Sequence, residues 1–104
     1  MGSKARGCRL TPLAEADLEE IWLYTFRRWS PEQADAYVRG IMAAIAGLAR
    51  GDKVGLRTDV RPGYRKYRAG MHVIYFRRSG EFVDVIRILH ERMDVERHLD
   101  GDGE

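Results

Sequence analysis

The segment Trp29-Ser30-Pro31-Glu32-Gln33-Ala34 decides the predicted fold, because it ends one helix and begins the next. Ser30 is a favourable N-cap, Pro31 suits the first helical position, and Gln33 completes a capping box with the serine. Only Ser30 separates the two predicted helices. We therefore expect an antiparallel helical hairpin around this segment.

The first predicted helix begins at Thr11-Pro12, where the threonine is the N-cap and the missing N–H of the proline costs nothing. Leu23 lies roughly opposite the apolar face of this helix, and Phe26 lies off the edge of that face. We expect the apolar face to pack in the core. Its residues, at helical spacing, are Ala14, Leu18, Ile21, Trp22, Thr25 and Trp29.

The second predicted helix runs from Pro31 to about Ala49, with Gly51 near its C-cap. Its apolar face consists of Ala34, Tyr37, Val38, Ile41, Ile45 and Leu48. A separate stripe of small residues consists of Ala36, Gly40, Ala43 and Gly47. Glycine inside a helix costs about 1 kcal/mol relative to alanine. The glycines of this stripe therefore predict a neighbouring element that packs closely against it. The favoured neighbour is the other helix of the hairpin, and the alternative is a partner's helix lying in a groove.

The rest of the chain predicts strands and turns. Strands are predicted at 6–10, 64–69, 71–78 and 82–89, with a loop at 51–63 and a short helical turn at 94–99. The order β-α-α-β-β-β indicates an α+β fold, with the helical hairpin packed on one face of a small, mainly antiparallel sheet. The length of 104 residues predicts a single domain over 1–104, with its core at about 9–99.

Positive charge is concentrated in the middle of the chain. The formal net charge is only +2, but residues 57–78 contain seven lysines and arginines and one acid, Asp59. Such a cluster predicts an anionic partner, either nucleic acid or an acidic protein segment. No apolar run approaches the length of a membrane span, and a single cysteine, Cys8, favours a reducing, cytoplasmic compartment.

The residues that carry chemistry favour binding over catalysis. The three histidines form no metal-ligand motif and no glycine-rich loop joins a strand to a helix, so no metal or cofactor is predicted. Arg87 interrupts an apolar strand, so it should either pair with a carboxylate such as Asp84 or Asp94, or bind a target. The enzymatic alternative is a metal-independent ribonuclease, which would use Arg65, Lys66, Arg68, Arg87, His90 and Arg92.

Five segments, taken together, resemble the ParE toxins, one branch of the RelE/ParE superfamily of type II toxin–antitoxin systems. The resemblance covers about 9–99. RelE-like members cleave mRNA on the ribosome and often use a C-terminal tyrosine, whereas ParE-like members are DNA gyrase poisons. This chain has no tyrosine from Arg77 to its end and carries the pair Met93-Asp94, which favours the ParE branch. The segments are 10–22, 29–34, 61–65, 70–77 and 86–99.

The resemblance implies a toxin that inhibits DNA gyrase by binding and without catalysis. A ribosome-dependent mRNA endonuclease of the RelE type is the alternative, and a module that only binds its antitoxin is a third possibility. The terminal segment is mixed in character and poorly explained by packing, so we expect it to reach the target. His90 is also a candidate anchor for that segment. The predicted target-binding residues are Arg65, Arg87, His90, Arg92, Met93 and His98.

Family membership also implies a ParD-type antitoxin, in a hetero-oligomer with the toxin. Such antitoxins join a ribbon–helix–helix DNA-binding half to a C-terminal segment that wraps the toxin, so operator DNA is contacted only indirectly. An apolar strip of this segment is expected to lie across the hairpin while its acids meet the basic cluster. The predicted antitoxin-binding residues are Leu23, Phe26, Ala36, Gly40, Ala43, Gly47, Arg61, Arg68 and Arg77.

Overall fold

The elements follow the predicted order, with one short strand added. The structure is a computed structural model that describes residues 5–93 and Leu99. The predicted helical turn at 94–99 lies outside the described residues, apart from Leu99. The elements are β1 (Gly7–Leu10), α1 (Pro12–Arg28), α2 (Pro31–Arg50), β2 (Leu56–Arg57), β3 (Arg65–Ala69), β4 (His72–Ser79) and β5 (Phe82–His90).

Both helices begin and end where their capping residues predict. The Thr11 hydroxyl accepts a hydrogen bond from the N–H of Ala14 at 3.0 Å. The Ser30 hydroxyl accepts one from the N–H of Gln33 at 3.1 Å. Gly51 ends α2 in the left-handed conformation, with a φ of 85°, which glycine adopts without steric cost. The predicted helical hairpin is therefore confirmed.

The five strands form one mixed sheet in the order β1-β5-β4-β3-β2. Only β1 and β5 pair in parallel, and the other neighbours are antiparallel, so the predicted α+β architecture is confirmed. The prediction of an unbroken loop at 51–63 was wrong, because β2 pairs there with β3. A strand of two residues has no alternation of polar and apolar positions, so its pattern is invisible in the sequence.

Side chains of α1 complete the edge of β5 beyond the end of β1. Strand β1 pairs with β5 only as far as Val85, which leaves backbone groups of the following residues without a neighbouring strand. The Thr11 hydroxyl donates to the carbonyl oxygen of Ile86 at 2.8 Å. Asp17 Oδ2 accepts from the N–H of Ile88 at 2.9 Å. These bonds satisfy the open edge and hold α1 against the sheet.

Two apolar clusters lie on opposite faces of the sheet. The larger cluster joins both helices to the sheet and includes Ile21, Ile41, Ile45, Leu48, Ile74, Val85 and Ile88. The smaller cluster, on the other face, contains Tyr64, Tyr75, Ile86, Leu89 and Leu99. Each buried aliphatic side chain of this size stabilises the fold by about 1.5–3 kcal/mol. No helix in the described ranges 5–93 and 99 is long and apolar enough to cross a membrane.

The core was predicted incorrectly at the tip of the hairpin. Trp29 is 64% exposed and does not pack in the core. Trp22 is half-buried, donates its indole N–H to Asp35 at 2.8 Å and stacks on Phe26. Trp29 follows the last residue of α1, where the chain turns into α2 and the apolar face of α1 has no further partner.

The small stripe of α2 was also assigned to the wrong neighbour. Ala36, Gly40 and Ala43 are exposed and do not pack against α1. A Cβ added at Gly40 would meet no atom within 4 Å. Gly47 is buried, but the side chain of Lys53 fills the space beside it. The alternative, in which the stripe forms the floor of a groove, agrees with this geometry.

Candidate functional site

A groove runs between α2 and the hairpin of β3 and β4. Its floor is made by small residues of α2, and its walls carry two tyrosines and two cationic side chains. The groove has a volume of about 390 Å³. We call it the α2 groove and define it by Ala36, Tyr37, Gly40, Ala43, Ala44, Lys53, Tyr67, Arg68 and Gly70. Four residues of the predicted antitoxin-binding set adjoin it: Ala36, Gly40, Ala43 and Arg68.

The α2 groove continues to the tip of the hairpin. A second depression of about 400 Å³ shares Ala36 and Tyr37 with it and is also lined by Thr25, Trp29 and Gln33. Trp29 is therefore an exposed aromatic side chain at one end of the groove. Sequence reasoning missed this exposed position, although the place of Trp29 between the end of α1 and the N-cap Ser30 of α2 was a usable signal.

Hydrogen bonds of Tyr37 join α2 to the start of β4 at the wall of the α2 groove. The N–H of Met71 donates to the Tyr37 hydroxyl oxygen at 2.9 Å, which leaves the hydroxyl proton available for His72 Nδ1 at 2.7 Å. Gly70 lies beneath this hydroxyl with a φ of +64°, and an added Cβ there would come within 2.7 Å of the tyrosine oxygen. Burial lowers the pKa of His72, and the neighbouring His90 lowers it further.

A second pocket lies at the end of the sheet where β4 begins and β5 ends. This end pocket has a volume of about 390 Å³, is mainly apolar, and is lined by Glu20, Ile21, Tyr24, His72, His90 and Met93. The rings of His72 and His90 meet edge to face, with centroids 5.4 Å apart. His90 Nδ1 accepts from the backbone N–H of Arg92 at 3.1 Å, so His90 also anchors the segment that follows β5.

Arg87 is held in an ion pair with α1. Its Nε and Nη2 donate to the two carboxylate oxygens of Asp17, each at 2.8 Å, and both side chains are only 13% exposed. The predicted partner Asp84 instead pairs with Arg9 at 2.8 Å, and Asp94 lies outside the described residues. The prediction of Asp84 was wrong because α1, which is distant in sequence, crosses the open edge of β5 beside Arg87.

The remaining arginines of the predicted sets lie elsewhere. Arg65 of β3 is opposite Phe76 of β4. Phe76 is four residues from His72 along β4, which at the usual rise of a strand is about 13 Å. Arg61 and Arg65 line a cavity in the loop before β3, and the Arg77 guanidinium lies 5.8 Å from the centroid of the nearby Tyr64 ring. The structure thus brings His90 and Met93 together but separates them from Arg65.

Three other predicted residues have distinct locations. Leu23 and Phe26 are 36% and 42% exposed on the outer side of α1. His98 lies outside the described residues.

Within 5–93 and at 99, no group of three or more His, Cys, Asp and Glu side chains is close enough to hold a metal ion.

Comparisons with known sequences identify relatives over nearly the whole chain. The family profile for the ParE toxin of the type II toxin–antitoxin system parDE matches residues 8–95. Toxin ParE1 of Mycobacterium tuberculosis is 48% identical over 92 residues, which is 86% of this chain and 94% of the relative. Toxin ParE1 of Caulobacter vibrioides is 40% identical, over 88% of this chain and 95% of the relative.

Comparison with solved structures supports the same fold. A chain of the chromosomal ParDE toxin–antitoxin system from P. aeruginosa superposes with a TM-score of 0.73 at 24% identity, covering 81% of this chain and 94% of the other. The RelBE2 complex of Mycobacterium tuberculosis provides a match with a TM-score of 0.50 at 18% identity, covering 88% and 100%. From the profile match and the sequence relatives, the chain belongs to the ParE toxin family of type II toxin–antitoxin systems.

Proposed function

We propose that this toxin acts in the cytoplasm by binding DNA gyrase, without catalysis, and that a ParD-type antitoxin neutralises it. The observation that carries the non-catalytic part is the separation of the basic groups that RNA cleavage would have to gather. A metal-independent ribonuclease needs an acid, a base and cations around one phosphate. Here Arg87 is bound to Asp17, and Arg65 lies about 13 Å along the sheet from the position of His90, although Arg68 pairs with Glu91 beside that histidine.

The α2 groove supports the proposed antitoxin site. Exposed small residues on its floor allow a partner's backbone to approach closely, and Trp29, Tyr37 and Tyr67 are aromatic surfaces for apolar side chains. Lys53 and Arg68 on the walls suit an acidic segment. We infer that the C-terminal segment of a ribbon–helix–helix antitoxin lies here in a hetero-oligomer, and that operator DNA is bound through the antitoxin.

The end pocket supports the proposed target-binding surface. Tyr24 and Met93 are exposed and apolar, and His72 and His90 provide polar groups beside them. Met93 and Arg92 follow the last residue of β5, and both are exposed. An apolar pocket with few polar groups is a common form of recognition site. We propose that gyrase contacts Met93, Arg92 and the rim of this pocket.

A gyrase assay tests the proposed function directly. Purified toxin should inhibit DNA supercoiling by gyrase, the antitoxin encoded beside it should restore activity, and mRNA on ribosomes should remain uncut. Met93→Ser should weaken inhibition by at least about tenfold, as loss of one interface anchor predicts. Met42→Ser is the matched control, because Met42 is exposed on α2 away from the end pocket.

Two outcomes would contradict the proposal. Cleavage of mRNA on ribosomes that is lost in Arg65→Gln would support the RelE-type endonuclease instead. A toxin that is inactive in both assays but binds its antitoxin would support a module with only a regulatory role.

A further inference from the structure

The loop before β3 contains a cationic cavity that the proposed gyrase and antitoxin surfaces do not use. It has a volume of about 510 Å³, and its lining includes three arginines and one acid: Arg57, Arg61, Arg65 and Asp59. The rest of its lining comes from the same segment and consists of Thr58, Pro62, Gly63 and Tyr64. We call it the loop cavity. Its charge favours an anionic ligand over an apolar one.

Two of these arginines are directly opposite each other in the sheet. The register pairs Arg57 of β2 with Arg65 of β3, which places their Cβ atoms about 5 Å apart. Like charges in this arrangement destabilise a sheet. Within the described ranges, the Arg57 side chain makes no hydrogen bond or ion pair, and the Arg65 side chain donates only to the Gly55 carbonyl oxygen at 3.3 Å. An anion bound between them would remove this repulsion.

Hydrogen bonds within the loop hold the cavity in shape. The N–H of Thr58 donates to the Tyr64 carbonyl oxygen at 3.4 Å, and the N–H of Tyr64 donates to the Arg61 carbonyl oxygen at 3.2 Å. The N–H of Val60 donates to the Thr58 hydroxyl at 3.3 Å. These bonds fix the backbone from which the arginines project before any ligand arrives, which lowers the entropic cost of binding.

We propose that the loop cavity binds the phosphodiester backbone of nucleic acid. The two free oxygens of a phosphodiester point apart, so one can face Arg57 and the other Arg65, each accepting the charged hydrogen bonds that guanidinium groups make with phosphate. A fourth cation continues the surface, because the Arg77 guanidinium lies over Tyr64, which lines the cavity. This continuity suits a polymer with repeated phosphates better than a single carboxylate.

Salt-dependent DNA binding by the full-length toxin, without gyrase or antitoxin, tests this inference. Fluorescence anisotropy of a short labelled duplex should show that Arg57→Gln and Arg65→Gln each weaken binding roughly three- to tenfold. Each should also reduce the slope of log K against log salt by about 1. Arg57→Gln is the decisive variant, because the Arg57 side chain makes no hydrogen bond or ion pair in the described ranges whose loss would disturb the fold.

Arg39→Gln provides the control for overall charge. Arg39 is exposed on α2 and does not line the loop cavity, so its replacement removes the same charge outside the proposed site. We expect this variant to keep the wild-type salt slope. Equal slopes for Arg39→Gln and Arg57→Gln, or displacement of the duplex by polyglutamate at equal charge, would overturn the inference. Because the assay contains only toxin and DNA, its failure would leave the proposed gyrase inhibition standing.

Discussion

At the scale of single residues, Tyr37 and His72 connect the two proposed binding surfaces. Tyr37 lines the α2 groove, His72 lines the end pocket, and a 2.7 Å hydrogen bond joins them. With the tyrosine hydroxyl as donor, His72 Nδ1 is the unprotonated acceptor, which agrees with the lowered pKa of this histidine. His90 opposes protonation, whereas Asp17 and Glu91 favour it, and Glu20 also lines the end pocket.

This histidine predicts a pH dependence of stability. The unfolded chain binds a proton at the ordinary histidine pKa of 6.5, while the folded chain resists protonation until lower pH. The contribution of His72 to the free energy of unfolding is therefore complete above pH 6.5 and declines as the pH falls through and below this value. Between neutral and mildly acid pH, the free energy of unfolding measured in urea should fall less for His72→Asn than for the wild type. Parallel losses in the two proteins would refute this assignment.

Gly40 provides a test of the α2 groove in which the fold is preserved. Gly40→Ala should stabilise the toxin by roughly 0.5–1 kcal/mol, because alanine is the better helix former and its Cβ meets no atom within 4 Å. Gly40→Trp should remain folded but fill the groove and weaken antitoxin binding by at least about tenfold. Calorimetric titration with the antitoxin measures both variants. Wild-type affinity for Gly40→Trp would place the antitoxin elsewhere.

At the scale of elements, the start of α1 has two functions. Thr11 caps the helix and also donates to the carbonyl oxygen of Ile86 on the open edge of β5, whereas the Ser30 hydroxyl accepts from the N–H of Gln33 and caps α2. The two caps therefore differ in how strongly they connect their helices to the sheet.

Replacement of the two caps should reveal this difference in chemical denaturation. Ser30→Ala should lower the free energy of unfolding by about 1 kcal/mol, the usual cost of a lost cap. Thr11→Val should cost roughly 1 kcal/mol more, because the Ile86 carbonyl oxygen also loses its donor. Thr11→Ser keeps the hydroxyl and should stay within about 0.5 kcal/mol of the wild type. Equal losses for Thr11→Val and Ser30→Ala would contradict the edge role.

At the scale of the whole molecule, one ion pair fastens the helical hairpin to the sheet. Asp17 binds Arg87 through both oxygens and also accepts from the backbone N–H of Ile88. Because the pair is largely buried, solvent screens it little. The proposed antitoxin and target surfaces both include residues of the hairpin and residues of the sheet, so this junction sets their relative positions.

Removal of the carboxylate charge should therefore destabilise the whole fold. Asp17→Asn should lower the free energy of unfolding by about 2–3 kcal/mol, because hydrogen bonds to charged groups are lost in a buried site. Asp52→Asn is the control, since the Arg50–Asp52 pair is more than half exposed and should contribute less than about 1 kcal/mol. Similar losses in the two variants, measured by urea denaturation, would show that the buried pair has no special role.

The sequence alone was sufficient for both helices, for the longer strands and for their order, but not for the two-residue strand β2. Thr11-Pro12, Ser30-Pro31 and Gly51 bound the helices through interactions with residues only a few positions away. The strands β3, β4 and β5 were predicted within a residue or two, since their runs of β-forming residues are bounded by turns at Gly70 and Gly80. Such features depend on local backbone chemistry, which a single sequence displays directly.

Only the tertiary structure decided which neighbour covers each surface. Periodicity placed Trp29 and the small stripe of α2 on helix faces, but whether a face meets the sheet, the other helix or solvent depends on how the elements pack. The partner of Arg87 is 70 residues away in α1 and follows from the short length of β1, which leaves the edge of β5 open. Long-range packing thus determined the groove, the end pocket and the separation of the basic residues, because contacts between distant segments leave no local pattern in the chain.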